Sequence, residues 1–221
     1  MSRNSQAQRA VNAYVAGLNR CLTALPTASI AAAADCLWKV ASRGGTIFIA
    51  GNGGSAATAA HMALDHAKST RGRPPRPGAL RIRTLALLEP AALSAWANDE
   101  GYDRVFAEPI TSLARRGDAV ILLSVSGRSP NIVAAARAAR RAGCLVVALV
   151  GAGPTPLRRA ADLAVVVPST DYQIVEDAHA AISHALTSCL QDRVAANERE
   201  GRVRRARGSS PLRDLATRRR P

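Results

Sequence analysis

The stretch Thr46-Ile-Phe-Ile-Ala-Gly-Asn-Gly-Gly-Ser55, running on through Ala56 to Thr70, decides how the rest of the chain is read. Thr46, Ile47, Phe48 and Ile49 are β-branched or aromatic and predict a buried strand. Gly51, Gly53 and Gly54 then let the backbone turn sharply and approach a ligand closely. A helix that starts at this turn has first-turn amides without internal partners. With Ser55 as a cap and Asn52 beside it, those amides offer a site for a phosphate or a sugar hydroxyl. Two turns further on, His61 and Asp65 are four residues apart and share a helix face, a spacing that suits metal binding or acid–base work. Taken alone, the same pattern also fits a purely structural glycine turn.

Outward from this stretch, strands and helices alternate. Leu80 to Leu88 reads as a strand, Pro90 to Ala97 as a helix, and Tyr102 to Ala114 as a second helix after the break Asn98-Asp-Glu-Gly101. Ala119 to Leu123 is an apolar run that predicts a buried parallel strand. A helix from Ile132 to Ala142 follows, then a strand from Leu145 to Val150, a short helix near Leu157 to Ala161, and a strand from Leu163 to Val167. The last helix is expected from Tyr172 to Ala195. This order predicts an α/β fold, a three-layer αβα sandwich around a central parallel sheet with right-handed crossovers.

Ligands in such folds bind beyond the carboxyl ends of the strands, so the Gly51 turn and the loop Ser124-Val-Ser-Gly-Arg-Ser129 should share one edge of the sheet. That loop offers the hydroxyls of Ser124, Ser126 and Ser129 and the amides around Gly127, donors without fixed charge that suit reversible binding of a phosphate monoester. Ser129 followed by Pro130 also suits an ordinary helix cap. On the last helix, Glu176 and His184 are eight residues apart and so about 80° apart around the axis, able to address one site from one side. His179, among alanines, reads as structural.

The 221 residues suffice for one α/β domain with appendages. Residues 1–43 read as N-terminal helices, Ser5 to Leu25 and Ser29 to Ala41, and the apolar stripe of the first is expected to pack within an oligomer or on its own sheet. Residues 44–195 form the domain, and 196–221 a basic tail expected to be largely disordered. The formal charge of +14 owes much to that tail, which lacks the interleaved aromatics on which bases stack, so nucleic acid is not the expected partner. The scattered cysteines Cys21, Cys36, Cys144 and Cys189 read as buried thiols of a reducing compartment. No apolar run approaches the roughly 20 residues that span a bilayer, and no signal peptide is evident, so a cytoplasmic location is expected.

Gly51-Asn-Gly-Gly-Ser55 with His61-Met-Ala-Leu-Asp65, then Ser124-Val-Ser-Gly-Arg-Ser129 with Asn131, then Glu176-Asp-Ala-His179 and His184 resemble the sugar isomerase (SIS) domain, a flavodoxin-like fold. Within it, order and spacing resemble the phosphoheptose isomerase family from about Ala7 to Arg193. The resemblance implies a homotetramer with sites between subunits, one zinc ion per subunit, and a sugar-phosphate substrate. The implied metal ligands are His61, Asp65, Glu176 and His184, with Asp65 where glutamate is usual and Glu176 where glutamine is usual. Asp65 reaches less far by ~1.5 Å, and two carboxylates with two neutral histidines balance a divalent cation.

The same resemblance implies phosphate contacts from Ser55, Ser124, Ser126 and Ser129, with Val125 where a threonine is common, and sugar contacts from Asn52, Gly53, Asp99 and Glu176. A further family aspartate falls on Gln173. Asp65 and His184 match the acid–base pair of a ketose–aldose isomerisation. The implied reaction converts sedoheptulose 7-phosphate to a D-glycero-heptose 7-phosphate through an enediol, the manno epimer by default and the altro epimer as the variant outcome. The alternative is a non-catalytic SIS binding protein such as a replication-initiator-associating factor. Members of that type lack the acid and the histidine that Asp65 and His184 supply.

Overall fold

The computed structural model describes residues 3–71 and 80–208. In chain order the elements are α1 (Arg3–Thr23), α2 (Thr27–Ser42), β1 (Thr46–Gly51), α3 (Gly53–Lys68), β2 (Arg83–Ala86) and α4 (Pro90–Asp99). After a 3₁₀ turn at Tyr102–Arg104 come α5 (Ala107–Leu113), β3 (Ala119–Ser124), α6 (Pro130–Arg141), β4 (Leu145–Val150), α7 (Pro156–Ala160), β5 (Leu163–Val166) and α8 (Tyr172–Gly208).

The five strands pair in parallel in the order β2-β1-β3-β4-β5. Register places Phe48 beside Val120 and Val120 beside Val146, so alternate residues of neighbouring strands face the same layer. Ile47, Ile49, Ile121, Leu123, Val147 and Leu149 pack against α2, α3 and α8. Phe48, Ala50, Val120, Leu122, Val146 and Ala148 pack against α5, α6 and α7. Both faces of the central strands are therefore covered, which is why those strands read as continuous apolar runs and not as alternating ones. Each buried aliphatic side chain contributes about 1.5–3 kcal/mol, so this sandwich is the main source of stability.

The expected three layers are present, in the flavodoxin-like order. The strand order reverses between β1 and β3: the chain leaves β1 for β2 on one side and returns to β3 on the other. The crevice outside the carboxyl ends of those two strands is where such a sheet binds ligands.

The N-terminal helices divide their roles. In α2, Ile30, Ala33, Ala34, Leu37, Val40 and Ala41 are buried at helical spacing against the domain's own sheet. α1 lies on α8, where the Tyr14 hydroxyl donates to the Asp177 carboxylate at 2.5 Å. That acceptor holds the phenolic proton and pushes Tyr14 up to about 12. Val11 and Val15 on α1 stay 56% exposed.

Three elements differ from their sequence-based bounds. The helix expected over Tyr102 to Ala114 is interrupted, because Pro109 has no N–H to give the Val105 carbonyl, and α5 starts afresh at Ala107 with Pro109 in its first turn. β2 pairs only over Arg83–Ala86, having β1 on one side alone. α8 does not stop at residue 195 but runs to Gly208, since Ala196, Glu198, Arg199 and Glu200 are good helix formers. The remainder of the expected tail, 209–221, lies outside the described residues. Among the described residues no single helix is long and apolar enough to cross a membrane. All four cysteines are free, with Cys21 and Cys144 buried and their thiols pushed up by burial, Cys144 to about 11.

Candidate active site

Helix α3 starts two residues earlier than its expected serine cap. Gly53 takes φ +53°, Asn52 occupies the N-cap position, and Ser55 falls inside the first turn, 4% exposed. The first intrahelical bond runs from the Ala56 N–H to the Asn52 carbonyl at 3.2 Å, which leaves the preceding amides without an intrahelical partner. The Asn52 side chain does not cap this helix. It pairs instead with Asn131 of α6, the two amides exchanging hydrogen bonds of 3.0 and 2.9 Å.

Across the crevice, the β3–α6 loop presents its serines. Ser124 Oγ accepts the Gly127 N–H at 3.1 Å and Ser126 Oγ accepts the Arg128 N–H at 3.3 Å. Used as acceptors, both hydroxyls keep their own hydrogens for a ligand. Ser129 stands at the N-cap position of α6, yet its hydroxyl does not cap that helix. Asn52, Ser55, Ser124, Val125, Ser126 and Ser129 line one hollow, so the two loops converge as the sequence predicts. Tyr172, the first residue of α8, lines it too. Nothing in the spacing of the last helix had singled Tyr172 out. An aromatic residue at the first position of the helix that also carries Glu176 and His184 is the one available pointer. Asp99, the last residue of α4, is exposed and is not among the residues lining this hollow.

His61 and Asp65 on α3 meet His184 on α8. The His61 Nε2 to Asp65 Oδ2 distance is 3.4 Å and His184 Nε2 lies 3.8 Å from the same oxygen. The two imidazoles stand edge to face, centroids 5.0 Å apart. Donor atoms of all three lie within 4.8 Å of one another. A tetrahedral zinc site with bonds of ~2.0–2.1 Å has donors ~3.4 Å apart, so two nitrogens and one carboxylate oxygen at these spacings fit a metal ion with a position left open.

Glu176, expected as a fourth ligand, is not in that group. Its carboxylate lies on the first turn of α3: a Cβ built on Gly54 would stand 2.7 Å from Glu176 Cδ and nearer still to both oxygens. Glycine at position 54 is therefore what admits Glu176. One of its oxygens is buried without a partner in the described structure.

Two further histidines are structural. His66 and His179 are 0% and 1% exposed, and burial pushes both down to about 4. For His179 the nearby Val150 carbonyl works against that shift without forming a good hydrogen bond.

The SIS domain family profile matches residues 13–151. The chain belongs to the SIS-domain family. It is 43% identical over 158 residues to the phosphoheptose isomerase of Solidesulfovibrio magneticus, covering 70% of this chain and 74% of that one. It is 36% identical over 166 residues to that of Trichlorobacter lovleyi, covering 75% and 82%. The solved phosphoheptose isomerase of Neisseria gonorrhoeae superposes with a TM-score of 0.77 at 27% identity, over 84% of this chain and 99% of that one. Within the SIS domains, the chain is a member of the phosphoheptose isomerases.

Proposed function

We propose that this protein interconverts sedoheptulose 7-phosphate and a D-glycero-heptose 7-phosphate in the crevice between β1 and β3. The observation that carries the reading is the meeting of Asp65 and His184, from helices more than a hundred residues apart in sequence, on the same two helices whose first turns border a hollow lined with serine hydroxyls. The phosphate is held by Ser55, Ser124, Ser126 and Ser129 and by the free amides at the start of α3. These donors carry no charge, so the product can leave. Asn52, Gly53, Asp99 and Glu176 serve the sugar chain.

The reaction moves one proton between neighbouring carbons. A base takes a proton from C1 of the open-chain ketose, the C2 carbonyl oxygen becomes the enediolate oxygen and receives the proton of the C1 hydroxyl, and a proton is returned at C2 as the C1 oxygen becomes the aldehyde carbonyl. Asp65 and His184 are the groups in place for those transfers. Delivery to one face of C2 gives the manno epimer, and the shorter Asp65 stands where that face is chosen. His61, Asp65 and His184 would hold a zinc ion, one per subunit, with Glu176 turned to the substrate side. When bound, the ion supplies Lewis-acid polarisation of the substrate oxygens.

The site is read as one of four in a cytoplasmic homotetramer. In support, Leu64, next to Asp65, is 57% exposed, and Val11 and Val15 leave an apolar strip on α1, surface that a neighbouring subunit would cover. The test is turnover of sedoheptulose 7-phosphate in deuterated water by zinc-loaded protein, followed by NMR. Deuterium at C2 of an aldoheptose phosphate, absent with Asp65→Asn, is the expected result. An intact oligomer that binds the sugar phosphate and never converts it would sink the reading and favour a binding module.

A further inference from the structure

Asn131 is the second residue of α6 and 2% exposed. Its Oδ1 accepts the N–H of Ile132 at 2.9 Å, and this bond settles which way the amide faces, because a nitrogen there would meet another donor. The Asn131 Nδ2 is thereby aimed at Asn52 and donates to its Oδ1 at 2.9 Å, while Asn52 Nδ2 donates back to Asn131 Oδ1 at 3.0 Å. From the solvent side the Tyr102 hydroxyl donates to the same Asn52 Oδ1 at 3.3 Å. A primary amide has two lone pairs and two N–H groups. Both lone pairs of Asn52 are occupied and one N–H is spent. One N–H is left.

We propose that Asn131 and Tyr102 are positioning residues that hold the Asn52 amide oxygen turned away from the substrate, so that Asn52 offers the sugar a hydrogen-bond donor and no acceptor. This rests on Asn52 being a sugar contact, as read above. Its chemical consequence is selective. A fixed donor pairs with a carbonyl or enediolate oxygen, which carries lone pairs and gains charge along the reaction, and a donor aimed at developing charge lowers the barrier without reorganising. A freely turning amide would serve a hydroxyl in either sense and would gain nothing from that charge. Tyr102 also gives the residues after Asp99 a reason to close over the glycine turn.

A double-mutant cycle tests this. Tyr102 is 59% exposed, so Tyr102→Phe removes one hydrogen bond with little effect on folding. It should lower kcat/KM about 3- to 10-fold, mainly through kcat, with an unchanged melting temperature. In an Asn52→Ala background the same change should have no further effect. Asn131→Asp, which sets a carboxylate oxygen against Asn52 Oδ1, should cost more than Tyr102→Phe. If Tyr102→Phe is silent in wild type, or costs as much with Asn52→Ala as without it, the proposal is overturned. A readout independent of turnover is NMR of protein labelled with 15N-asparagine. Mutual contacts between the Asn52 and Asn131 side-chain amides, lost in Asn131→Asp, are expected. Their absence in wild type overturns the lock, whereas a wild type that shows them and fails to turn over sedoheptulose 7-phosphate counts against the isomerase reading alone.

Discussion

At the carboxyl ends of the strands stand Asn52, Ser55, Ser124, Ser126 and Glu176, hydroxyls, amides and a carboxylate, while His61, Asp65 and His184 lie farther along α3 and α8. At the amino ends stand Arg43, Arg83, Arg115, Arg116, Arg140 and Arg141. One backbone rule produces both sets. In a parallel sheet every following helix begins at the carboxyl end, where free N–H groups collect and attract anions. Every preceding helix finishes at the amino end, where free carbonyls attract cations. Arg140 and Arg141 close α6, Lys39 closes α2, and the Arg140 guanidinium donates to the Ala160 carbonyl at the end of α7. The acids at this end are engaged by the backbone: Asp118 accepts the N–H groups of Thr46 and Arg115, both at 2.8 Å, and Asp162 accepts that of Val146. A few of the positive charges therefore sit at helix ends, while the nine arginines from Arg199 onward supply a larger share.

The largest expected effects break the reactive end. Asp65→Asn should lower kcat by at least ~10³-fold, since it removes together the proposed proton carrier and one of three side chains proposed to hold a metal. Removal of metal with a chelator should do comparable damage in wild type, and activity should return with zinc. If chelation leaves turnover unchanged at a measured metal content near zero, the three donors act as acid–base groups only.

A smaller loss is expected from the loop. Ser124→Ala with Ser126→Ala removes two hydroxyls proposed to donate to the charged phosphate, each worth about 1.5–3 kcal/mol. KM should rise ~100-fold or more while kcat falls less, because the phosphate is remote from C1 and C2. The same pair measured with a substrate lacking the phosphate should show no difference from wild type. A loss there would mean that the loop shapes the crevice more than it binds the anion.

How much of this was readable in the residues depends on whether the partners are near in sequence. The glycine turn, the serine loop and the His61–Asp65 pair are local patterns, and sheet topology alone brings their elements to one edge. The pairing of His184 with Asp65 was reachable through the resemblance, and the two side chains lie 3.8 Å apart. The Asn52–Asn131 pair spans 79 residues and the Tyr102–Asn52 bond 50, and each residue taken alone looks like a turn or cap residue. Glu176 has the angular position to join the metal group. Its separation follows from the eight residues between it and His184, ~12 Å along the helix axis, and from the missing side chain at Gly54, which lets the carboxylate settle on the first turn of α3. The basic tail expected from residue 196 is helical as far as Gly208, because arginine, glutamate and alanine also extend helices, and 209–221 lie outside the described residues.

Histidines sharpen the contrast between site and interior. His61 and His184 have side chains 54% and 58% exposed, whereas His179 is sealed against the sheet and held down to about 4. A histidine with a folded value below its ordinary 6.5 binds its proton more readily when unfolded. The stability tied to neutral His179 is thus fully present above pH 6.5 and declines as pH falls toward 4, by up to roughly 1.4 kcal/mol per pH unit. Urea unfolding at pH 7.5 and at pH 5 should show that decline, and His179→Leu should lessen it, leaving the part that buried His66 contributes over the same range. An unaltered slope in the variant would assign the acid sensitivity to other groups.

The smallest effect is expected from the amino end, and it is the one that most directly tests the separation of the two. Arg83 and Arg115 flank a cleft of about 320 Å³ with Leu85 and Leu113 on its walls. A six-residue strand such as β3 spans roughly 17–20 Å between that cleft and the serine loop. This is about two Debye lengths at 0.15 M salt, where the screening length is about 8 Å. Arg83→Gln with Arg115→Gln should therefore leave kcat/KM within about twofold at that ionic strength. A modest fall should emerge only at low salt, where a distant positive field still draws in a phosphate dianion. A fivefold loss at 0.15 M salt would instead show that the two ends are coupled.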